Sequence, residues 1–101
     1  MIPFDKLFCI VQKMKERPGA FFGRAEYSFN EVIAFLDGYV VALNIYANID
    51  KRCYTSRVKY ELSKMYEIDS NVHIIDLFDS ICENEKDKVT LLLKILKALN
   101  I

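Results

Sequence analysis

The sequence predicts an all-α fold, a single compact bundle of about five helices around a central apolar helix at residues 28–48. Three observations predict it. Apolar residues recur at helical spacing in five separate stretches of the 101-residue chain. Only three Gly and two Pro occur, too few to punctuate many short strands. The length is that of one ordinary domain, with 52% apolar and 28% charged residues, so the chain buries enough surface to fold with no metal or disulfide. No internal repeat, low-complexity segment or linker divides it, and residues 1–101 read as one helical domain.

The first helix is expected over residues 4–17. Phe4, Leu7, Phe8, Val11 and Met14 recur on one side, and Lys6, Lys13, Lys15 and Glu16 fall on the other. Pro18 and Gly19 stop it. Residues 18–27 are the Gly/Pro-marked loop, with Phe21 and Phe22 expected to plug it into the core.

The second helix has the clearest start signal. Ser28 is placed as N-cap with Glu31 three residues on, a capping box, and Tyr27 and Val32 hold the positions of a hydrophobic staple. The helix then runs to about Asn48 and is apolar almost all round, so it is expected to be surrounded. Gly38 in its interior costs up to about 1 kcal/mol relative to Ala, which points to close approach of another helix.

A third helix is expected over 50–67, with Tyr54, Val58, Leu62 and Met65 inside and Lys51, Arg52, Arg57, Lys59 and Lys64 making its outer face basic. Asp69-Ser70-Asn71 is a break with N-cap chemistry for the next helix. That fourth helix is expected over 72–83. Ile74, Ile75, Phe78, Ile81 and Cys82 share one face, and Asp76, Asp79 and Glu83 share another. Asn84 caps a fifth, roughly 85–100. Glu85 and Asp87 in its first turn and Lys94 and Lys97 near its end complement the helix dipole. Val89, Leu92, Leu93, Leu96 and Leu99 are its core stripe.

Composition argues against several functions. Fourteen basic and 14 acidic residues leave no basic excess for phosphate contacts, so nucleic acid is not an expected partner. The most apolar run, Val32 to Ala47, is broken by Asp37 and Asn44 and is short of the roughly 20 residues a membrane span requires. The start Met-Ile-Pro-Phe-Asp lacks the basic and apolar regions of a signal peptide. Three widely spaced cysteines, Cys9, Cys53 and Cys82, read as reduced and mostly buried thiols, and the expected location is cytoplasmic. His73 is the single histidine and has no metal-ligand set beside it. G-x-S-x-G, the P-loop and G-x-G-x-x-G are absent. No catalytic residue, cofactor or small-molecule substrate is therefore expected, and the chain is read as a binding protein rather than an enzyme.

A pattern covers much of the chain: Arg17-Pro18-Gly19-Ala20-Phe21-Phe22-Gly23, then Ser28, then Ala34-Phe35-Leu36-Asp37-Gly38-Tyr39, an acidic segment, and Thr90-Leu91-Leu92-Leu93-Lys94-Ile95-Leu96. It resembles small bacterial proteins of the form R-P-x-x-Y-L-G … A-F-L-x-G-Y … F-x-x-L-L. Many of these look like immunity proteins of polymorphic toxin systems, including contact-dependent growth inhibition. Phe21-Phe22 stands here in place of Tyr-Leu, and the chain has no Trp where the family has two. The resemblance implies an antitoxin whose partner is a cognate toxin domain, often a nuclease, neutralised by stoichiometric occlusion. It also implies that Arg17, Pro18, Gly19, Gly23, Phe35, Gly38 and Tyr39 are scaffold.

Such an inhibitor needs a surface, and the charge distribution offers one. Residues 67–87 hold seven acidic groups (Glu67, Asp69, Asp76, Asp79, Glu83, Glu85 and Asp87) against Lys86 alone, a local net charge of minus six in a neutral protein. Tyr66, Asn71 and His73 stand beside them, and Tyr is a common interface anchor. This stretch is the expected toxin-binding face, complementary to a basic cleft. The alternative is a small helical regulatory or adaptor protein, as a monomer or a homodimer.

Overall fold

The computed structural model describes residues 6–69 and 71–101. Phe4 in the first helix and Ser70 in the break lie outside the described residues. Among those residues the fold is all-α, with six helices: α1 (Leu7–Glu16), α2 (Pro18–Phe22), α3 (Phe29–Ala47), α4 (Tyr54–Tyr66), α5 (Ile74–Ile81) and α6 (Glu85–Leu99).

The additional helix is α2, at the position expected to be a loop. Pro18 stops α1 and also starts a new turn, because its fixed φ suits the first helical position, where no N–H is required. Gly23 ends that turn at φ 71, in the left-handed region, and its N–H donates to the Gly19 carbonyl. Phe21 and Phe22 do anchor the segment. Phe21 meets Phe35 edge-on at 5.3 Å, and Phe22 stacks on Tyr27 at 5.0 Å.

The capping box of α3 is formed. Ser28 Oγ accepts the Glu31 N–H at 3.2 Å, and Glu31 accepts the Ser28 N–H at 3.1 Å. Arg24 adds an ion pair to Glu31. At the other end Asn48 adopts φ 56 as a left-handed cap. Leu7, Val11 and Met14 of α1 and Tyr54, Val58 and Leu62 of α4 are buried as the spacing predicts. Met65 is exposed instead, because α4 ends one residue later and its last turn has left the core. Helix α4 also starts later than expected: Asp50 accepts the Arg52 N–H at 3.0 Å, and residues 52–53 form a turn before it.

The centre of the bundle is α6 rather than α3. Seven of the 15 residues of α6 are buried, against six of 19 in α3, and α6 packs on α1, α3 and α4. Leu91 and Ile95 join the expected stripe, which widens its apolar face. Helix α3 packs on α1, α5 and α6 with one side only, as in the Phe29–Phe78 ring contact at 4.5 Å. Its opposite side, including Val41, Ile45 and Tyr46, faces water. An all-round apolar composition thus does not mean all-round burial here. The start of α1 meets the residues that follow α6, as Lys6 Nζ donates to Asn100 Oδ1 at 2.6 Å and Leu7 N–H donates to the Ile101 carbonyl.

Candidate functional site

The acidic stretch runs from the last turn of α4, through the connection to α5, to the first turn of α6. Lys59 Nζ donates to the Val72 carbonyl at 3.2 Å and ties the connection back to α4. Glu67 sits at φ 54, closing α4 in the left-handed region. Asp69 Oδ1 accepts the Asn71 N–H at 2.9 Å, a tight local turn. The N-cap of α5 is His73, whose Nδ1 accepts the Ile75 N–H at 3.2 Å, and not the Asp69-Ser70-Asn71 break. His73 is exposed, and its ring serves the start of α5 as a cap.

The carboxylates divide into two groups. Asp79 and Glu85 both pair with Lys88, Glu85 at 3.3 Å, and Glu85 also accepts the Phe29 N–H at 3.3 Å. Lys88 is buried, and the hydrogen bond from its ammonium to Asp79 raises its pKa first, with Glu85 adding to it. Asp87 belongs to the α6 cap: its N–H donates to Asn84 Oδ1 at 2.8 Å and its carboxylate accepts from Asn84 Nδ2 at 3.0 Å. Asp79 and Glu85 tie α5, α3 and α6 together, and Asp87 serves the start of α6 alone; all three are already engaged.

Glu67, Asp76 and Glu83 are exposed and enter no ion pair among the described residues. Asp76 stands in the first turn of α5, where the helix dipole favours it. Glu83 does not share a helical face with Asp76 and Asp79, because α5 stops at Ile81 and Cys82 is extended (φ −119, ψ 139). The expected three-carboxylate face is therefore an Asp76–Asp79 pair, with Asp79 turned to Lys88 and Glu83 beyond the helix end.

Tyr66, expected as an anchor beside the acidic stretch, is 43% exposed. Val72, which the sequence did not single out, is 42% exposed, and exposed Met65 adjoins Tyr66. The signal for Lys88 is its i,i+3 spacing from Glu85, one residue past the end of the acidic run. A shallow cavity of about 390 Å³ lies at the far end, between α1, the segment before α3 and the start of α6, lined by Lys15, Glu26, Tyr27, Glu85, Lys86 and Val89.

The basic outer face of α4 is partly tied up. Arg52 pairs with Asp50 at 3.0 Å, Lys64 with Glu61 at 3.5 Å, and Lys59 is held as above. Cys53 is exposed and Cys9 and Cys82 are half-buried, so the expectation of mostly buried thiols holds for none of them fully. All three are free. Burial, helped by Asp87, raises the Cys82 pKa, which keeps it a protonated thiol. Among the described residues no group of three or more His, Cys, Asp and Glu could hold a metal ion, and no helix is long and apolar enough to cross a membrane. Compared with models of protein families, with characterised proteins and with solved structures, the chain matches none.

Proposed function

We propose that this protein is a bacterial immunity protein, which binds a cognate toxin domain in the cytoplasm and neutralises it by stoichiometric occlusion. The observation that carries the reading is the mixture between α4 and α6: exposed Tyr66 and Val72 among uncommitted Glu67, Asp76 and Glu83. Aromatic and apolar anchors with a local excess of charge of one sign are what a protein interface uses, the anchors for affinity and the charges for approach and register. The toxin surface that fits is basic, as in the substrate cleft of a nuclease. The Arg-Pro-Gly-Ala-Phe-Phe-Gly and Ala-Phe-Leu-Asp-Gly-Tyr segments support the family side of the proposal.

The contact set is accordingly narrower than the whole acidic run. Tyr66, Glu67, Val72, Asp76 and Glu83 meet the toxin. Asp79, Glu85 and Asp87 hold the surface in shape, and His73 and Asn71 set the course of the chain between them. The test is co-expression with the toxin domain encoded next to the gene, followed by isolation of the complex. Growth rescue with a one-to-one complex is expected. Rescue should be lost in a Glu67→Lys, Asp76→Lys, Glu83→Lys variant whose melting temperature is unchanged. Undiminished rescue by that variant would move the interface elsewhere, and absence of both rescue and complex would remove the immunity reading.

A further inference from the structure

The outward side of α3 is an apolar feature that the proposed toxin face leaves unexplained. Val41 is 48% exposed, Ile45 64% and Tyr46 87%. Isolated apolar residues at a surface are ordinary, but these three follow one another along one helix with exposed Ala34, Gly38 and Ala42 between and beside them. Among the described residues no element approaches Gly38: a Cβ added there would meet nothing within 4 Å. The described residues therefore give no packing reason for a glycine in the middle of a 19-residue helix.

We infer that this face binds a second copy of the same chain, with the two α3 helices antiparallel across a two-fold axis. The face is divided along its length. Its N-terminal half is small, at Ala34 and Gly38, and its C-terminal half is bulky, at Val41 and Ile45. A two-fold centred between Val41 and Ala42 sets Ile45 of each copy over Gly38 of the other and brings the two Val41 side chains together. One surface carries both the knob and the hole, which is the requirement of an isologous contact.

Charge points to the same occupant. The stripe carries no charged group except Asp37 at its edge, and Asp37 already accepts the Tyr54 hydroxyl at 2.7 Å. In this arrangement the two Asp37 residues stay about 14 Å apart along the helix axes. The chain as a whole is neutral, so copies do not repel. A strongly acidic or basic partner would find nothing complementary on this stripe.

The test is the mass of the purified full chain by sedimentation equilibrium from about 5 to about 500 μM, the range in which a small interface of this kind dissociates. The average should rise from the 11.8 kDa of the monomer toward twice that value. Gly38→Leu fills the hole at an open, exposed position, so it should leave the helical spectrum intact and the melting temperature equal or higher. It should also raise the dissociation constant by roughly a hundredfold, through two clashes per dimer. Adding Ile45→Ala to Gly38→Leu exchanges knob and hole and should restore the dimer. A wild-type chain that stays monomeric throughout, or a Gly38→Leu chain that pairs as tightly as the wild type, would overturn the dimer. Failure of the exchange to restore it would overturn the antiparallel register.

Discussion

The buried hydroxyl of Tyr54 donates to Asp37 Oδ1 at 2.7 Å, joining the first residue of α4 to the middle of α3. The two ends differ in what they lose if the bond is broken. Tyr54→Phe leaves Asp37, which is exposed, free to hydrate, and should cost about 1 kcal/mol. Asp37→Ala strands a buried hydroxyl and should cost more, about 1–3 kcal/mol. Urea unfolding of the two single variants and the double variant measures both and their coupling. Burial, and then Asp37, holds the phenol far above its ordinary value of 10.0. The bond therefore contributes stability below that value and loses it as pH rises through the folded pKa. In a spectrophotometric titration one of the six tyrosines should ionise only as the chain unfolds.

Lys88 sets a second prediction, which separates stability from binding. Its raised pKa means that its contribution is present below the ordinary value of 10.5 and disappears as pH climbs through the folded one. Lys88→Met keeps the buried stem and removes the charge. It should cost about 1 kcal/mol at neutral pH, since half-exposed Asp79 and Glu85 screen the pairs, and the difference from wild type should close at alkaline pH. Asp79→Asn should show a similar loss. Asp76→Asn should lie within about 0.5 kcal/mol of wild type. Thermal melts from pH 7 to pH 11 check all three.

Much of this arrangement is legible in the sequence where the cause is local. Ser28 with Glu31 and Asn84 with Asp87 are readable as caps because capping needs only residues three apart. Helix α2 escapes such a reading because Pro and Gly signal both the end of one helix and the start of the next. The central position expected of α3 fails for a different reason. Composition tells which residues tolerate burial, whereas packing decides which are covered, and for Val41, Ile45 and Tyr46 the described residues supply little cover. At the acidic face the charge count is correct, but its division is tertiary. Nothing in the stretch itself shows that Asp79 and Glu85 converge on Lys88 while Asp76 and Glu83 do not.

The start of α3 gives a third prediction. Ser28→Ala removes the acceptor for the Glu31 N–H and should cost about 1 kcal/mol. The backbone hydrogen bond from Ser28, and then Arg24, lowers the Glu31 pKa below its ordinary 4.5. A depressed carboxylate contributes stability above its unfolded value and loses it as pH falls through the folded one. Glu31→Gln should therefore be less stable than wild type at neutral pH, and the two should converge as the pH drops below about 4.5. Denaturant midpoints at pH 7, pH 5 and pH 3 track the convergence.

The position of α6 at the centre of the bundle makes a prediction that composition alone would reverse. Read by apolar content, the C-terminal half of α3 should be the more sensitive segment, since Val40, Val41, Leu43, Ile45 and Tyr46 crowd it. Burial ranks the two helices the other way: Leu92 of α6 is fully covered, and Ile45 of α3 is mostly exposed. Leu92→Ala removes a side chain enclosed by its neighbours and leaves a cavity, so it should cost about 2–5 kcal/mol, enough to unfold a marginal domain of this size near physiological temperature. Ile45→Ala removes surface already in contact with water and trades a β-branched residue for a better helix former, so the isolated chain should be unchanged within about 0.5 kcal/mol. Guanidinium unfolding at low protein concentration, where monomers are compared, decides between the two rankings. A large loss on Ile45→Ala under those conditions would mean that α3 is covered within the monomer and that α6 does not stand at its centre.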